Sequence, residues 1–413
     1  MTHQAQAVSR EEEQEAPVVY TTEREGLFGP PPGLARLNER QPLARMRYAD
    51  GHLGWLVTGY PEARAVLADE RFSSRAELRH PPLSAMREEG GPRPAPPGVF
   101  AMMDEPAHRR YRRLVSAEFS VRRMRLLASW IGQVTEERLA AMEAGGPPVD
   151  LHTAFSVPIP LRVICEMLGV PLGERGRFLR DIEQWSTFRD GGNVGERREA
   201  FAQLAASMGR LVALKRAEPG DDILSGLVHA RDPVTDEEAS GLAFMLLVAG
   251  FDSIAAQLTM SVAVLLTERP DLHAALRADP GLTDAAVEEL LRFLSVTQHG
   301  PLRTALQDVE IGGQVIRKGE NVMISLSAAN RDPRRFADPH RLDLGRANAM
   351  SHLAFGYGSH QCLAQQLART ELRIALAALL RRFPALRPAV PPGELSVRPN
   401  RPFHRLQELP VAW

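Results

Sequence analysis

A single cysteine near the C-terminus lies in a setting suited to metal binding. The segment FGYGSHQCLA, residues 355–364, places Cys362 between a glycine-containing loop and the start of a predicted helix. At a helix N-terminus, a thiolate is stabilised by the positive end of the helix dipole and by backbone N–H groups. One thiolate without a second cysteine beside it is most consistent with the axial ligand of a haem iron. The alternative is a small buried thiol in the core.

An acid and a hydroxyl interrupt the longest apolar stretch of the chain, Leu242 to Leu266. Within it, the sequence AGFDSI places Gly250, Asp252 and Ser253 near the middle of a predicted helix. A carboxylate in such surroundings is costly unless it is paired or used. The two polar residues are therefore either a proton-handling site or a hydrogen-bonded pair inside the core. Because they interrupt the stretch, we expect a buried core helix and no membrane span.

Three further charged groups have positions that could bring them together. His108 and Arg112 fall on one helical face at i and i+4, and Glu289 and Arg292 do so at i and i+3. Arg303 follows the second of these helices, and its planar guanidinium suits a carboxylate. Taken alone, the first pair is typical of a solvated basic face. The second is typical of a surface ion pair that contributes about 0.2–0.5 kcal/mol.

The apolar spacing predicts a mainly α-helical chain that would hold these residues. Helical periodicity runs from about residue 105 to residue 230. The longest helix then begins at a capping box, Thr235 and Glu238, and ends before Pro270, a length of about 50 Å at 1.5 Å per residue. A helix of that length must cross the whole molecule. Two more helices are predicted, one around the Glu289 pair and one after the cysteine.

The predicted strands are short and lie towards the two ends of the chain. Alternating apolar residues at 44–48 and 55–57, joined by an Asp-Gly turn, predict a hairpin. Residues 72–100 are rich in proline and glycine, which predicts an irregular loop, either over a ligand site or on the surface. Further short strands are predicted at 309–311, 315–316 and 321–324.

Composition indicates a single soluble protein. The 413 residues are 44% hydrophobic and 24% charged, and the formal net charge of -1 favours neither nucleic acid nor an anionic membrane as a partner. Two cysteines, Cys165 and Cys362, exclude a disulfide framework and a four-cysteine metal centre, and a reducing cytoplasm is expected. We expect residues 1–18 to form a mobile acidic tail and residues 19–413 to form one domain.

These residues together resemble the motifs of the cytochrome P-450 superfamily, the haem-thiolate monooxygenases, in its soluble bacterial type. The resemblance covers nearly the whole chain, and the FGYGSHQCLA loop is its strongest part. It implies the cytochrome P-450 fold, which is mainly α with a small β region and has a long central helix crossing the molecule over a buried haem. Two residues depart from the pattern. Ala364 replaces a usual glycine, and Ser253 replaces a usual threonine, losing the methyl that restricts the rotamer.

The resemblance implies roles for the candidate residues around the haem. Cys362 would ligate the iron, and Asp252 and Ser253 would relay protons beside Gly250, where the helix opens locally for oxygen. Haem propionates would be held by His108, Arg112, Arg303 and His360. Further haem contacts are implied for Phe355, Gly356 and Ala249.

Away from the haem, the resemblance implies a brace and a substrate pocket. Glu289 and Arg292 would form a buried network that supports the cysteine loop, with a third party in the segment from Arg331 to Phe336. The pocket walls are largely apolar, so we expect a hydrophobic or amphipathic organic substrate. The implied substrate contacts are Phe100, Met245, Val248, Val296, His299 and Phe403.

The implied reaction inserts one atom of O2 into the substrate by hydroxylation or epoxidation, in natural-product tailoring or xenobiotic oxidation. The chain has no convincing flavin or dinucleotide fingerprint and no cysteine cluster, so electrons, ultimately from NAD(P)H, would come from a ferredoxin and its reductase. Arg109, Arg110 and Arg113 would form a basic docking patch, or else a generally solvated face. We expect a monomer.

Two alternatives to this reaction stay open. The same scaffold could run on peroxide, or could catalyse coupling or ring formation. A haem-free activator of a partner enzyme is the other alternative. Proteins of that kind lack the cysteine ligand, so Cys362 argues against it.

Overall fold

The computed structural model describes residues 16–87, 90–191, 193–398 and 401–413. Most of these residues are helical, as the periodicity predicts. The α-helices are α1 Leu34–Arg40, α2 Tyr60–Ala68, α3 Ala107–Ser116, α4 Val121–Gly145, α5 Pro158–Met167, α6 Leu172–Gly191, α7 Val194–Ala217, α8 Ile223–Val228, α9 Asp236–Thr267, α10 Pro270–Ala278, α11 Thr283–Leu294, α12 Leu326–Ala329 and α13 Gln365–Arg382.

The strands are short and form three sheets. They are β1 Val18–Val19, β2 Leu43–Arg47, β3 Leu53–Val57, β4 Phe72–Ser73, β5 Val149–Asp150, β6 Leu302–Ala305, β7 Val309–Ile311, β8 Gln314–Ile316, β9 Asn321–Ile324, β10 Arg387–Pro388 and β11 Pro410–Ala412. The largest sheet has the order β1-β2-β3-β9-β6-β4, and the smaller ones are β10-β11-β5 and β7-β8.

The six-stranded sheet joins the start of the chain to its late segments. The predicted hairpin is confirmed, since β2 and β3 pair antiparallel with Leu43 opposite Val57. β3 then pairs in parallel with β9, which in turn pairs with β6. Arg303 lies within β6. Of the predicted N-terminal tail, residues 1–15 lie outside the described residues, and Val18 at its end pairs with β2 next to Val19.

Helix α9 crosses the molecule and belongs to both of its largest apolar clusters. Its N-terminus has the predicted capping box, because Thr235 Oγ1 accepts from the Glu238 N–H at 3.2 Å and Glu238 Oε2 accepts from the Thr235 N–H at 2.9 Å. Being apolar nearly all round, the helix is buried against α5, α7, α11 and α13. By length and composition it could also span a membrane, a test that buried core helices pass as well.

Candidate active site

A cavity of about 630 Å³ lies along the middle of α9. The opposite wall is the loop that contains Cys362. The remaining walls come from α3, β6, the segment 296–301 and the start of the chain's proline-rich loop. Segments that are far apart in the sequence thus converge on one enclosed space, and most of the residues proposed from the sequence are among those that line it.

One face of α9 forms a wall of the cavity. Its lining residues recur at helical spacing: Met245, Leu246, Ala249, Gly250, Ser253, Ile254 and Gln257. Val248, implied as a substrate contact, is not among the described residues that line the cavity. It lies on the same side of the helix as Asp252, four residues on, and packs against the apolar cluster that α3 to α8 share with the first half of α9. Asp252 is buried and is not among the described residues that line the cavity.

Ser253 presents its hydroxyl group at this wall. The hydroxyl donates to the Ala249 carbonyl at 3.1 Å. The helix is continuous through Gly250, so the local opening predicted there is not present. A Cβ at position 250 would meet Ile164 of α5 at 3.6 Å, which is ordinary contact. Gly250 therefore leaves space at the wall, but it is not required by the packing.

The cysteine loop has a fixed backbone. The Cys362 N–H donates to the Phe355 carbonyl at 2.8 Å, and α13 begins three residues after the cysteine. Gly358 has φ +77°, and a Cβ there would lie 2.4 Å from the Leu67 carbonyl oxygen. Only glycine fits at that position, because both its dihedral angle and its close approach to α2 exclude a side chain.

Protonation of the thiol reflects competing effects. Burial raises the pKa of Cys362, while the Ala364 N–H and the guanidinium groups of Arg112 and Arg369 act in the opposite direction. Metal coordination would supply the missing stabilisation, because a coordinating thiol loses its proton.

Four basic residues predicted to bind propionates all line the cavity. His108 and Arg112 come from α3, Arg303 from β6 and His360 from the cysteine loop. The rings of His108 and His360 stack with centroids 4.0 Å apart. Burial and, to a smaller extent, the nearby cationic groups, Arg303 first among them, together lower the pKa of His360 to about 3. His360 is thus a neutral hydrogen-bonding group at neutral pH.

The basic groups of this wall have no acid beside them in the cavity lining, although Asp104 behind the wall raises the pKa of Arg303. Burial lowers the pKa values of Arg112 and Arg303, to about 10 for Arg303, and the charge of Arg79 also lowers that of Arg303. No aspartate or glutamate is among the described residues that line the cavity. Neighbouring cations without acids are stabilised by an anion placed between them.

Arg79 and Met86 are among the residues of the wall that were not predicted from the sequence. Both line the cavity and belong to the proline-rich loop, where no periodic spacing marks a side chain as inward-facing. The sequence feature that could have marked Arg79 is its positive charge directly before His80, Pro81 and Pro82. Of the predicted substrate contacts, Phe100, Met245, Val296, His299 and Phe403 do line the cavity.

The site fits a haem. Buried atoms with no hydrogen-bond partner among the described residues include His108 Nε2 and Arg79 Nε. Arg79 Nε and the guanidinium groups of Arg112 and Arg303 are donors that suit a group carrying two carboxylates. A thiol lies on the cavity wall between Phe355 and Ala364, where the glycine-containing loop leaves room for a flat group. The residues that would hold the haem are therefore Cys362 and the basic wall.

Glu289 and Arg292 form a fully buried ion pair. Arg292 donates to both carboxylate oxygens of Glu289 at 2.7 and 2.8 Å, and neither side chain is exposed. Arg346 also donates to Glu289, at 3.1 Å. Arg346 lies outside the segment from Arg331 to Phe336, in which the third partner was predicted. That segment contributes Phe336, whose ring lies 5.2 Å from the Arg292 guanidinium.

Hydrogen bonds connect this ion pair to the cysteine loop. Arg292 Nη1 donates to the Asn330 carbonyl at 2.9 Å, and Asn330 Oδ1 accepts from the Leu353 N–H at 2.6 Å. The Leu353 carbonyl then accepts from the Gly356 N–H at 2.8 Å. The ion pair on α11 thus fixes the backbone at the first glycine of the loop.

The arginines proposed as a docking patch differ in their surroundings. Arg110 is committed to Glu238 at the start of α9, with Nη1 2.6 Å from Oε1. Arg109 pairs with Glu105 at 3.1 Å, although its side chain is 70% exposed. Arg113 is exposed and has no ion pair among the described residues. The available charge is therefore that of Arg109 and Arg113, which lie at i and i+4 on α3.

Comparison with known proteins agrees with the motifs. The family model described as Cytochrome P450 matches residues 214–394. Cytochrome P450 105C1 of a Streptomyces species is 49% identical, over 97% of this chain and 100% of its own length. Pentalenic acid synthase of Streptomyces avermitilis is 41% identical, over 96% and 98%. The crystal structure of CYP105P1 with filipin I superposes with a TM-score of 0.88 at 40% identity, covering 97% of this chain and 99% of that one.

Proposed function

This chain belongs to the cytochrome P450 family as a bacterial monooxygenase, and from that premise we propose that it hydroxylates or epoxidises a hydrophobic or amphipathic small molecule in natural-product tailoring. Haem b, O2 and electrons from NAD(P)H delivered by a ferredoxin and its reductase complete the proposal. We further propose that the protein is a cytoplasmic monomer, with residues 19–413 as one domain.

The observation that carries this proposal is the meeting of three features in one cavity. Cys362, a cluster of cations without acids and the Ser253 hydroxyl group all line it. Bound at Cys362, haem b would supply the iron that activates oxygen. His108, Arg112, Arg303 and His360 would hold its propionates. Phe100, Met245, Val296, His299 and Phe403 would position the substrate and exclude water.

Proton supply is the role proposed for Asp252 and Ser253. Ser253 holds a proton at the cavity wall on its Oγ, whose present acceptor is the Ala249 carbonyl. Asp252 precedes Ser253 in the chain and is buried behind that wall. It would pass a new proton to Ser253 from the side of α9 that faces away from the cavity. General acid and base groups contribute roughly 10²–10⁴-fold to rate.

We expect Asp252→Asn to reduce product formation from O2 about 100-fold while leaving peroxide-supported product formation within a few-fold of wild type. Peroxide already carries the protons that the relay would deliver, so it bypasses the missing carboxylate. The measurement is product formed per minute with NAD(P)H, ferredoxin and reductase, compared with hydrogen peroxide alone.

A matched control for this test is Thr259→Val, which removes a hydroxyl from α9 outside the cavity, where Thr259 contacts His152 at 2.9 Å. This variant should form product at the wild-type rate both with NAD(P)H, ferredoxin and reductase and with hydrogen peroxide. If Asp252→Asn slowed both reactions equally, a proton relay would be excluded. If wild type turned over with peroxide only, the peroxide-driven alternative would replace the proposal.

Ferredoxin docking is expected at Arg109 and Arg113. Reversing both charges to glutamate should slow the first electron transfer from an acidic ferredoxin at least about tenfold at low salt, because steering by opposite charge is lost. The rate should also become less dependent on salt. Stopped-flow reduction in the presence of carbon monoxide measures it.

The control for the docking prediction is Arg277→Glu with Arg387→Glu, which changes net charge equally at exposed positions on α10 and β10. Its rate should remain near wild type. Equal slowing in both double variants would indicate a net-charge effect and would contradict docking at α3.

A further inference from the structure

Two ion pairs join α11 to α13, and they lie four residues apart on both helices. The inner pair is Glu288 with Arg369, whose side chains are 11% and 17% exposed. The outer pair is Asp284 with Arg373, at 73% and 44%. Because residues four apart share one face of a helix, the outer pair repeats the inner pair at the surface. Water and salt therefore screen the inner charges less than the outer ones.

Three nitrogens of Arg369 are committed to hydrogen bonds. Nε and Nη2 donate to the two carboxylate oxygens of Glu288 at 2.6 and 3.0 Å, and Nη1 donates to Gln365 Oε1 at 3.0 Å. A guanidinium that is bound along two of its edges keeps one orientation. Its charge therefore has a fixed position at the start of α13.

This charge lies behind the wall that contains the cysteine. The guanidinium carbon of Arg369 is 4.7 Å from the centre of the Phe355 ring, and the Phe355 carbonyl accepts from the Cys362 N–H at 2.8 Å. Phe355 lines the cavity, whereas Arg369 is not among the described residues that do so. Arg369 is thus placed to act on the cysteine, and not on a propionate or a substrate.

His352, which also contacts Glu288, is neutral. Its Nε2 lies 3.2 Å from Glu288 Oε2, and its Nδ1 accepts from the Ala354 N–H at 3.1 Å. A ring nitrogen that accepts carries no proton, so His352 is the tautomer that donates through Nε2. The carboxylate and the guanidinium of the inner pair therefore oppose each other one to one, and the positive member is the one that contacts the cysteine loop.

A fixed cation beside a haem thiolate favours the reduced state, because reduction adds a negative charge to the iron–thiolate centre. The charge of Arg369 reaches the cysteine: burial raises the pKa of the Cys362 thiol, and the guanidinium groups of Arg112 and Arg369 act against that rise. Arg112 lines the cavity, where a propionate would neutralise it. The charge of Arg369 is offset by Glu288 instead.

We propose that Arg369 raises the reduction potential of the haem through its charge beside Cys362, and that Glu288 limits this rise by partly cancelling the charge. Arg369 is a positioning residue, since it acts through the cysteine and holds a charge in place. The inference rests on the proposed function, in which electrons reach a haem bound at Cys362 from a ferredoxin.

Removing each member of the inner pair in turn tests the proposal. Arg369→Gln should make one-electron reduction of the haem about tenfold less favourable, a potential lower by about 59 mV. Glu288→Gln should make it about tenfold more favourable, because Gln365 and the Phe355 ring still hold the cation. The measurement is an anaerobic redox titration of the purified haem-loaded protein without substrate, followed by its absorption.

Three further variants separate charge from shape. Arg369→Lys keeps the charge but loses the two-point hydrogen bond to Glu288, and its reduction equilibrium should stay within about threefold of wild type. Arg373→Gln and Asp284→Asn are the matched controls, because they remove the same charges from the exposed outer pair. Each should stay within about twofold of wild type.

Shifts of the same sign in Arg369→Gln and Glu288→Gln would overturn the proposal, because a disturbed loop gives no reason for opposite signs. A shift in Arg369→Lys as large as in Arg369→Gln would assign the effect to side-chain shape. Equal shifts in the outer pair would assign it to net charge. If Arg369→Gln binds no haem, the sign of the shift in Glu288→Gln decides alone.

The titration needs neither substrate, nor oxygen, nor ferredoxin. A haem-loaded protein that shows opposite shifts but forms no oxygenated product would contradict the proposed reaction and support this inference. A haem-loaded, active protein with shifts of one sign would contradict only the inference. A wild-type protein that binds no haem would overturn both.

Discussion

Glu289→Ala is expected to lower the free energy of unfolding by about 3–5 kcal/mol and to prevent stable haem incorporation. The carboxylate is the shared acceptor of Arg292 and Arg346, and it also accepts from the Asp343 N–H at 2.9 Å. Removing it leaves a fully buried Arg292 charge without its counter-ion. The loss is large because water cannot reach the group to replace the carboxylate.

The measurements are the urea midpoint of the purified protein and the haem bound per chain. Asp284→Ala is the matched control, because Asp284 lies on the same helix and forms an exposed ion pair with Arg373 at 3.4 Å. Its effect should stay below about 1 kcal/mol. A fully haem-loaded Glu289→Ala protein with the wild-type midpoint would contradict the role of this network.

A second buried cluster of charged residues, centred on Glu288 of α11, contacts the segments on either side of the cysteine loop. Glu288 accepts from Arg369 of α13 at 2.6 and 3.0 Å and contacts His352 Nε2 at 3.2 Å. Burial acts to raise the pKa of Glu288, but the hydrogen bonds from His352 and Arg369 outweigh it and lower the pKa to about 2. Adjacent glutamates on one helix therefore support both sides of the cysteine loop, the segment before it and the helix after it.

The sequence predicted the elements whose signals are local. The capping box gave the start of α9, and the i, i+3 spacing gave the Glu289 pair, because hydrogen bonds within one turn depend only on nearby residues. Glu288 and Arg346 gave no such signal. Their partners lie on other segments, and only tertiary packing brings them together.

The differences at the cavity have the same origin. The resemblance implied Val248 as a substrate contact, but Val248 and Asp252, four residues apart, share a side of α9 that is not among the described lining of the cavity. Arg79 was missed because an irregular loop has no period from which an inward face can be read. Placing it requires the tertiary pairing of β4 with β6, which fixes the start of that loop.

Replacing each of the two cysteines of the chain with alanine should have very different effects on the carbon monoxide spectrum and on activity. Cys362→Ala should abolish the thiolate-specific carbon monoxide spectrum and reduce product formation to background, because no other described residue of the cavity wall is a thiol. The loop itself should persist, since residue 362 contributes a backbone N–H to its fold and alanine keeps that donor.

Cys165→Ala provides the matched control. Cys165 is buried in the core on α5, and burial raises its pKa to about 12, so it is a packed thiol and not a ligand. Its removal should cost about 1 kcal/mol of stability and leave both the spectrum and the activity in place. The same change in two cysteines thus separates loss of packing from loss of the ligand. A Cys362→Ala protein that kept the thiolate spectrum would show that the ligand is elsewhere, and the assignment of the whole cavity would then be wrong.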